Sequence, residues 1–435
     1  MSQNPLPNPF VVGQPVSSPE AFVGRMAEIA TAFDQIHSRS NLAVWGSPGI
    51  GKSSFLEQLT LPEVWQLQGQ DPSEAVIVLL NCLNLLPFST SRFWEEALTL
   101  MRDELDSAPT LQAEIDKLLE QGKTTKDSLR RILRKLGKQH KFLLLLVDNY
   151  DHALYPQKQY TEAEIQTFLS ECRSLAYHSQ ERKHLSMIVT SSRRLNELGP
   201  MLTPGSSPWY NHYLFLSLKP FTATEVNSLL DRAPMTQALK EGIFELAHGH
   251  PALLQNAGHL VYRTLRKAAQ VTDQESFAKE FLSTTQHLFQ AIWLLSNEVE
   301  QVLLMLIALS NLQSRLHKKK QYDLGNIDLV FSQRQRELNE LEDQGVIVRT
   351  AQAGNNVYSF TSSMMEWWVI QEIGNSNETE LQQRQKVFVN LMSRKQAEQV
   401  TTAIRWLWNN EDEVPSILNW IGKVVNALPE GVFSV

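Results

Sequence analysis

The residues whose types and spacing could do chemistry begin with Gly46-Ser47-Pro48-Gly49-Ile50-Gly51-Lys52-Ser53, which fit G-x-x-x-x-G-K-[ST] at every fixed position. Three glycines let backbone N–H groups turn inward around an anion, and a helix start directly after them presents its positive dipole end. Lys52 is spaced to reach the β- and γ-phosphates of a nucleoside triphosphate, Ser53 to ligate Mg2+, and Ser54 follows in the same phosphate-holding turn. A magnesium shell needs a further carboxylate. Leu145-Leu146-Val147-Asp148-Asn149-Tyr150-Asp151 supplies one, because Asp148 stands just past an apolar run, where the carboxyl edge of an open sheet binds ligands. Asn149 cannot accept a proton at neutral pH. Asp151 is therefore the candidate to orient an attacking water, with slow turnover expected; the alternative is a chain that holds the triphosphate mainly as a switch. In Thr190-Ser191-Ser192-Arg193-Arg194, Arg193 ahead of Arg194 could sense a γ-phosphate or act in trans as an arginine finger, the plainer reading being a surface arginine pair.

These groups need a sheet to place them. Five apolar runs, Leu42–Trp45, Ala75–Leu80, Phe142–Val147, Leu185–Thr190 and Tyr213–Leu218, alternate with helical stretches, which predicts a parallel sheet flanked by helices. Phe142–Val147 has no polar alternation and reads as a central strand covered on both faces. A long helical insertion, about 91–139, separates the second and third strands. Its end, Lys123–Lys141, is strongly basic and reads first as a solvated helix face.

After Leu218 the pattern turns helical. Thr222-Ala223-Thr224-Glu225 is a capping box. In His248-Gly249-His250-Pro251, the proline is suited to a first helical turn; its ring could press on a base, or the segment could simply start a helix. Gly345–Thr350 and Val357–Phe360, around Ala353-Gly354-Asn355-Asn356, predict a hairpin, and helices followed by a hairpin describe a winged helix. The chain is expected to divide into an extended lead-in (1–20), the α/β nucleotide core (21–218), a helical lid (219–289), a winged helix (290–373) and a short all-α segment (374–435) bearing Trp406, Trp408 and Trp420.

Bulk properties exclude some classes. Net charge is −7, which does not suggest a protein that coats nucleic acid, and two cysteines, Cys82 and Cys172, are too few for a disulfide framework or zinc cluster. No apolar run is long enough to span a membrane and the N-terminus lacks the features of a signal peptide, so a cytoplasmic location is expected.

Together these residues resemble the STAND group of P-loop NTPases, the signal-transduction branch of the AAA-like lineage that includes NACHT and NB-ARC ATPases. Phe22-Val23-Gly24-Arg25 is similar to that family's adenine-binding entry segment. The P-loop and Asp148-x-x-Asp151 resemble its Walker motifs, Thr190–Arg193 its first sensor, and Gly249-His250-Pro251 its G-x-P motif, whose proline contacts adenine. The resemblance covers about residues 10–373 and implies ATP with Mg2+ as ligand, an ADP-locked monomer and an ATP-driven oligomer, and bound nucleotide gripped by core and lid. The Asn8-Pro9-Phe10-Val11-Val12-Gly13 opening and the Gly-His-Pro-x-Leu-Leu-Gln string look most like bacterial AAA-like ATPases. Three features depart from the family. Asn149 stands where an acidic residue is common, no Met-His-Asp motif is present, and neither an effector nor a repeat array accompanies the core. Signalling through a partner chain, or docking by residues 376–435, is the expectation that follows.

The competing reading is an ATP-regulated DNA-binding protein of the replication-initiator or transposition type. His317-Lys318-Lys319-Lys320 favours it. The expected recognition helix, Ser332–Asp343, weighs against it, with Arg334 and Arg336 against Glu337, Glu340, Glu342 and Asp343. Arg134 and its neighbours are a second DNA candidate. A metabolic kinase is a third reading, and the winged helix argues against it.

Overall fold

Five parallel strands carry the first unit: β1 (Asn41–Trp45), β2 (Ala75–Asn81), β3 (Phe142–Asp148), β4 (Leu185–Ser191) and β5 (Tyr213–Ser217), in the order β2-β3-β4-β1-β5. The computed structural model describes residues 7–106, 108–122, 124–201, 207–266, 274–316, 322–352 and 355–428. Every residue of β1, β3 and β4 is buried, as inner strands covered on both faces require, whereas β2 at the edge alternates between buried and half-buried positions. Truncating a fully covered β3 leucine such as Leu145 to Ala would cost about 2–5 kcal/mol.

Helices α1 (Met26–His37), α2 (Lys52–Gln58) and α3 (Pro62–Leu67) surround β1 in sequence. Helix α1 buries Ile29, Ala32, Phe33 and Ile36, the i, i+3, i+4, i+7 stripe of an amphipathic helix. The expected insertion after β2 is three helices, α4 (Thr90–Asp103), α5 (Pro109–Glu120) and α6 (Lys126–Lys138). An aromatic cluster anchors it to α7 (Glu162–Arg173): the Phe93 and Phe168 rings meet edge-on at 4.9 Å, and Trp94 Nε1 donates to Glu171 Oε2 at 2.7 Å.

The described residues form two compact units. One comprises residues 15–46 and 51–218; the other comprises 1–14, 47–50 and 219–435, as far as these are described. The second unit begins with α8 (Ala223–Leu230), opened by the Thr222–Glu225 capping box, then α9 (Gln237–Ala247), α10 (Pro251–Arg266), α11 (Gln274–Leu295) and α12 (Glu298–Arg315). Next come α13 (Ile327–Gln333), α14 (Gln335–Asp343) and an antiparallel hairpin of β6 (Ile347–Gln352) and β7 (Asn355–Phe360), with Ile347 opposite Phe360. The single helix expected over 332–343 is thus two. Arg334 leaves helical geometry at φ −118°, ψ 33°, its N–H closing one turn on Phe331 and its carbonyl opening the next on Leu338. The Lys318–Lys320 turn with His317, hairpin-tip residues 353–354 and Lys123 lie outside the described residues.

Helices α15 (Ser363–Gly374), α16 (Glu378–Leu391), α17 (Arg394–Asn409) and α18 (Ile417–Ala427) complete the unit. Their tryptophans pack inward: Trp408 Nε1 donates to the Ile373 carbonyl at 3.0 Å, Trp406 lies against Tyr322, and the Arg315 guanidinium covers Trp420 at 4.0 Å. Among the described residues no helix is long and apolar enough to cross a membrane.

Candidate nucleotide-binding site

The loop after β1 climbs through three glycines with positive φ and enters α2 at Lys52. Gly51 caps that helix at φ 101°, a conformation that side chains oppose even though the space around it is open. Gly49 is restricted twice: its φ is 79°, and a Cβ there would lie 2.8 Å from Ala252 Cβ and 2.9 Å from His250 Cε1. Residues 47–50 belong to the same compact unit as α10. The Ala252 N–H donates to the Gly49 carbonyl at 3.1 Å, and His250 Nε2 lies 3.0 Å from the Pro48 carbonyl. Pro251, between those two residues, is the buried first residue of α10. Within the Gly249-His250-Pro251 string it is thus His250, and not the proline alone, that meets the loop.

Lys52 Nζ donates to the Gly46 carbonyl at 2.7 Å, folding back over the loop. Burial pulls its ammonium below the ordinary lysine value, while the charges of Asp151 and Asp148 pull it back up. Ser53 Oγ donates to Asp148 Oδ2 at 2.6 Å. The other Asp148 oxygen accepts from Thr190 Oγ1 and, at 3.1 Å, from the Asn149 N–H. A buried carboxylate so surrounded by donors stays ordered for a cation on the side facing Ser53.

Asn149 takes the left-handed conformation, φ 54° and ψ 43°, which asparagine tolerates better than most residues. Its amide donates to Asn81 Oδ1 at the end of β2, at 3.0 Å. Asp151 is buried and accepts from both the backbone N–H and the hydroxyl of Ser192. Arg193, also buried, pairs with Glu197 at 3.3 Å, and Ser191 Oγ donates to its carbonyl at 2.6 Å. Arg194 is exposed and lies over the Phe215 ring. Tyr155 stands close by: burial raises its phenol, the Asp151 carboxylate adds to that, and Arg193 opposes it.

The structure thus brings together Lys52, Ser53, Asp148, Asp151 and the end of β4. Phe22–Arg25 forms the entry to α1, with Gly24 and Arg25 both at positive φ, Val23 and Arg25 buried, and Arg25 paired with Glu28 at 3.2 Å. Ser54 accepts from the Val16 N–H at 2.9 Å, so its hydroxyl ties the lead-in to α2. Asn81, Glu197 and Tyr155 were not expected in this neighbourhood. Asn81 alone had a sequence signal, a polar residue at the carboxyl end of a strand.

Residues 21–187 match the model of the AAA ATPase domain. No curated protein matches the chain. Among solved structures, the Walker-type ATPase PABY2304 of Pyrococcus abyssi is 16% identical and superposes with a TM-score of 0.50, covering 82% of this chain and 98% of that one. The ORC2 protein of Aeropyrum pernix is 14% identical, with a TM-score of 0.48 over 80% of this chain and 93% of its own. The chain therefore carries a P-loop ATPase domain with a parallel-sheet α/β core of AAA type.

Proposed function

We propose that this protein is a STAND-type molecular switch that binds ATP with Mg2+, hydrolyses it slowly, and couples nucleotide state to conformational change, oligomerisation and a protein partner. In this reading the bound ligand supplies a phosphoanhydride and a divalent charge. Gly46–Ser54 cradles the phosphates, with Lys52 released from the Gly46 carbonyl onto the β- and γ-oxygens. Ser53 and Asp148 already meet through a hydrogen bond; a Mg2+ held there would take the Ser53 hydroxyl oxygen, with its proton turned aside, and the Asp148 carboxylate among its ligands. Asp151, held by Ser192, orients water, and Arg193 reads the γ-phosphate. Pro251 and the Phe22–Arg25 segment are each the expected adenine contacts of their own unit. Asn149 offers an amide where a carboxylate would speed proton removal, and this supports slow turnover.

The observation that carries the switch is the hydrogen bond from the Ala252 N–H to the Gly49 carbonyl. A change in loop shape on ligand binding is thereby felt at the first turn of α10. Such coupling works only through different affinity for two conformations; moving a population from 1:99 to 99:1 takes about 10^4-fold. On this reading α8–α11 serve as the lid, α12–α14 with the β6–β7 hairpin as a winged helix, and that module or the C-terminal helices meet the partner.

The ion pairs on α14 weigh against DNA readout by the winged helix. Arg334 lies 3.6 Å from Glu337, Arg336 3.0 Å from Glu340, and Arg349 of β6 3.6 Å from Glu342. Each arginine a groove reader would use is already near a carboxylate.

The test is size and shape by small-angle scattering and gel filtration, with ADP against a non-hydrolysable ATP analogue. A nucleotide-dependent change that disappears in Lys52→Ala is expected. Identical profiles in both nucleotides would remove the switch while leaving the nucleotide site intact.

A further inference from the structure

Helix α6 is basic on one side and spent on the other. Leu129, Ile132, Leu133 and Leu136 are buried in the core beside the sheet. Arg131, Arg134, Lys135 and Lys138 are exposed at i, i+3, i+4 and i+7, the spacing of one helix face. The turn 180–184 packs onto this helix at Gly137. A Cβ there would lie 2.1 Å from His184 Nε2, so a larger residue would have to push that imidazole aside.

Glu181 fixes the arrangement. Its buried carboxylate accepts from Arg134 at 2.7 Å and 3.1 Å on one oxygen and from Arg130 at 3.2 Å on the other. One carboxylate thus orients two guanidinium groups, and the same turn adds exposed Arg182 and Lys183 beside them. Asp127 lies 3.1 Å from Arg130, and Glu114 pairs with Lys135. Arg131, Lys138, Arg182 and Lys183 carry no ion pair among the described residues. Segments 126–141 and 180–184 hold nine Lys and Arg against two acidic residues, while the rest of the chain holds 31 against 45. The charge is therefore concentrated against the trend of the whole molecule.

We propose that the face formed by α6 and the 180–184 turn binds the phosphate backbone of nucleic acid, independently of base sequence and of the P-loop. Protein interface cores favour aromatic residues and exclude lysine; no large hydrophobic side chain is exposed within 126–141 or 180–184. Amphipathic helices that lie on membranes need a free apolar face, and that of α6 is buried. What remains is a polar stripe rich in guanidinium groups, whose planar forks suit phosphate oxygens. From Arg131 to Lys138 the stripe runs about 10 Å, enough to meet about three phosphates of one strand. This also separates nucleic-acid contact from the α14 module, whose arginines are paired.

The test is fluorescence anisotropy of a labelled mixed-sequence DNA duplex with the full chain, at about 50 and about 200 mM salt. Binding is expected, weakening roughly 100-fold between the two as about four counterions are released. Arg131→Glu with Lys138→Glu should weaken binding at least about tenfold and flatten the salt dependence. Arg182→Ala with Lys183→Ala, outside the helix, should act in the same direction if α6 misfolds in the first variant. Lys52→Ala should bind as the parent does. The proposal falls if the duplex does not bind at the lower salt, or if neither double variant changes binding. It also falls if Lys52→Ala abolishes binding, or if polyglutamate or phosphatidylserine vesicles compete as well as the duplex does.

Discussion

Ser53 and Asp148, from the turn after β1 and the end of β3, meet through a 2.6 Å hydrogen bond from Oγ to Oδ2. The pair is the point at which two motifs distant in sequence meet, and it is the candidate place for a cation in the proposed reading.

Asp148→Asn should abolish magnesium-dependent stabilisation by ATP. A ligand at about 100-fold above its Kd adds about 2.7 kcal/mol to the folded state. In the parent chain that gain should appear as a rise in Tm with ATP and Mg2+ together. The variant should show little difference between ATP with and without the metal, measured by thermal shift.

Asp151→Ala separates hydrolysis from binding. Nucleotide affinity should hold within a few-fold, while steady-state phosphate release falls by about 10^2, the lower end of what a positioned base contributes. Unchanged turnover would remove Asp151 as the water-orienting group. Freeing Ser192 should cost roughly 1–3 kcal/mol of stability, visible in denaturant melts without nucleotide.

Gly49→Ala and Gly51→Ala should differ although both residues have positive φ. At Gly51 the added methyl meets nothing within 4 Å, so the cost is backbone strain, about 1 kcal/mol. At Gly49 the methyl collides with Ala252 and His250, and the loss should be about 1–3 kcal/mol larger. Urea midpoints for the two variants provide the comparison.

Glu366 gives the second unit a pH dependence. Burial pushes its carboxyl up to about 7, although Arg315 at 3.7 Å pulls it down. A raised carboxyl binds its proton more tightly in the folded chain. Its effect is therefore nil below the unfolded value of 4.5, and a penalty grows as pH rises through about 7, reaching roughly 3 kcal/mol. Glu366→Gln should raise Tm at pH 8, with the gain shrinking towards pH 5. A gain independent of pH would show that Glu366 is not protonated in the fold.

The P-loop, the Asp148 strand end and the five strands were legible because each is written in contiguous residues. A glycine pattern before Lys-Ser dictates one backbone shape, and an unbroken apolar run such as Phe142–Val147 must be covered on both faces. The break at Arg334 was not legible, because Ser332–Asp343 contains no proline or glycine and its interruption comes from the backbone geometry of one arginine.

The sequence by itself determined that this chain carries the glycine-Lys-Ser pattern of a phosphate loop and that Asp148 stands at the end of a strand. Only the tertiary structure decided what those groups touch. Thr190 and Ser192 reach Asp148 and Asp151 because β4 is the neighbour of β3, and strand order is not a local property. Pro48 and His250 are 202 residues apart, and Arg134 and Glu181 are 47 apart. Local pattern can specify each partner's own element, but which elements meet depends on how the whole buried surface is best covered.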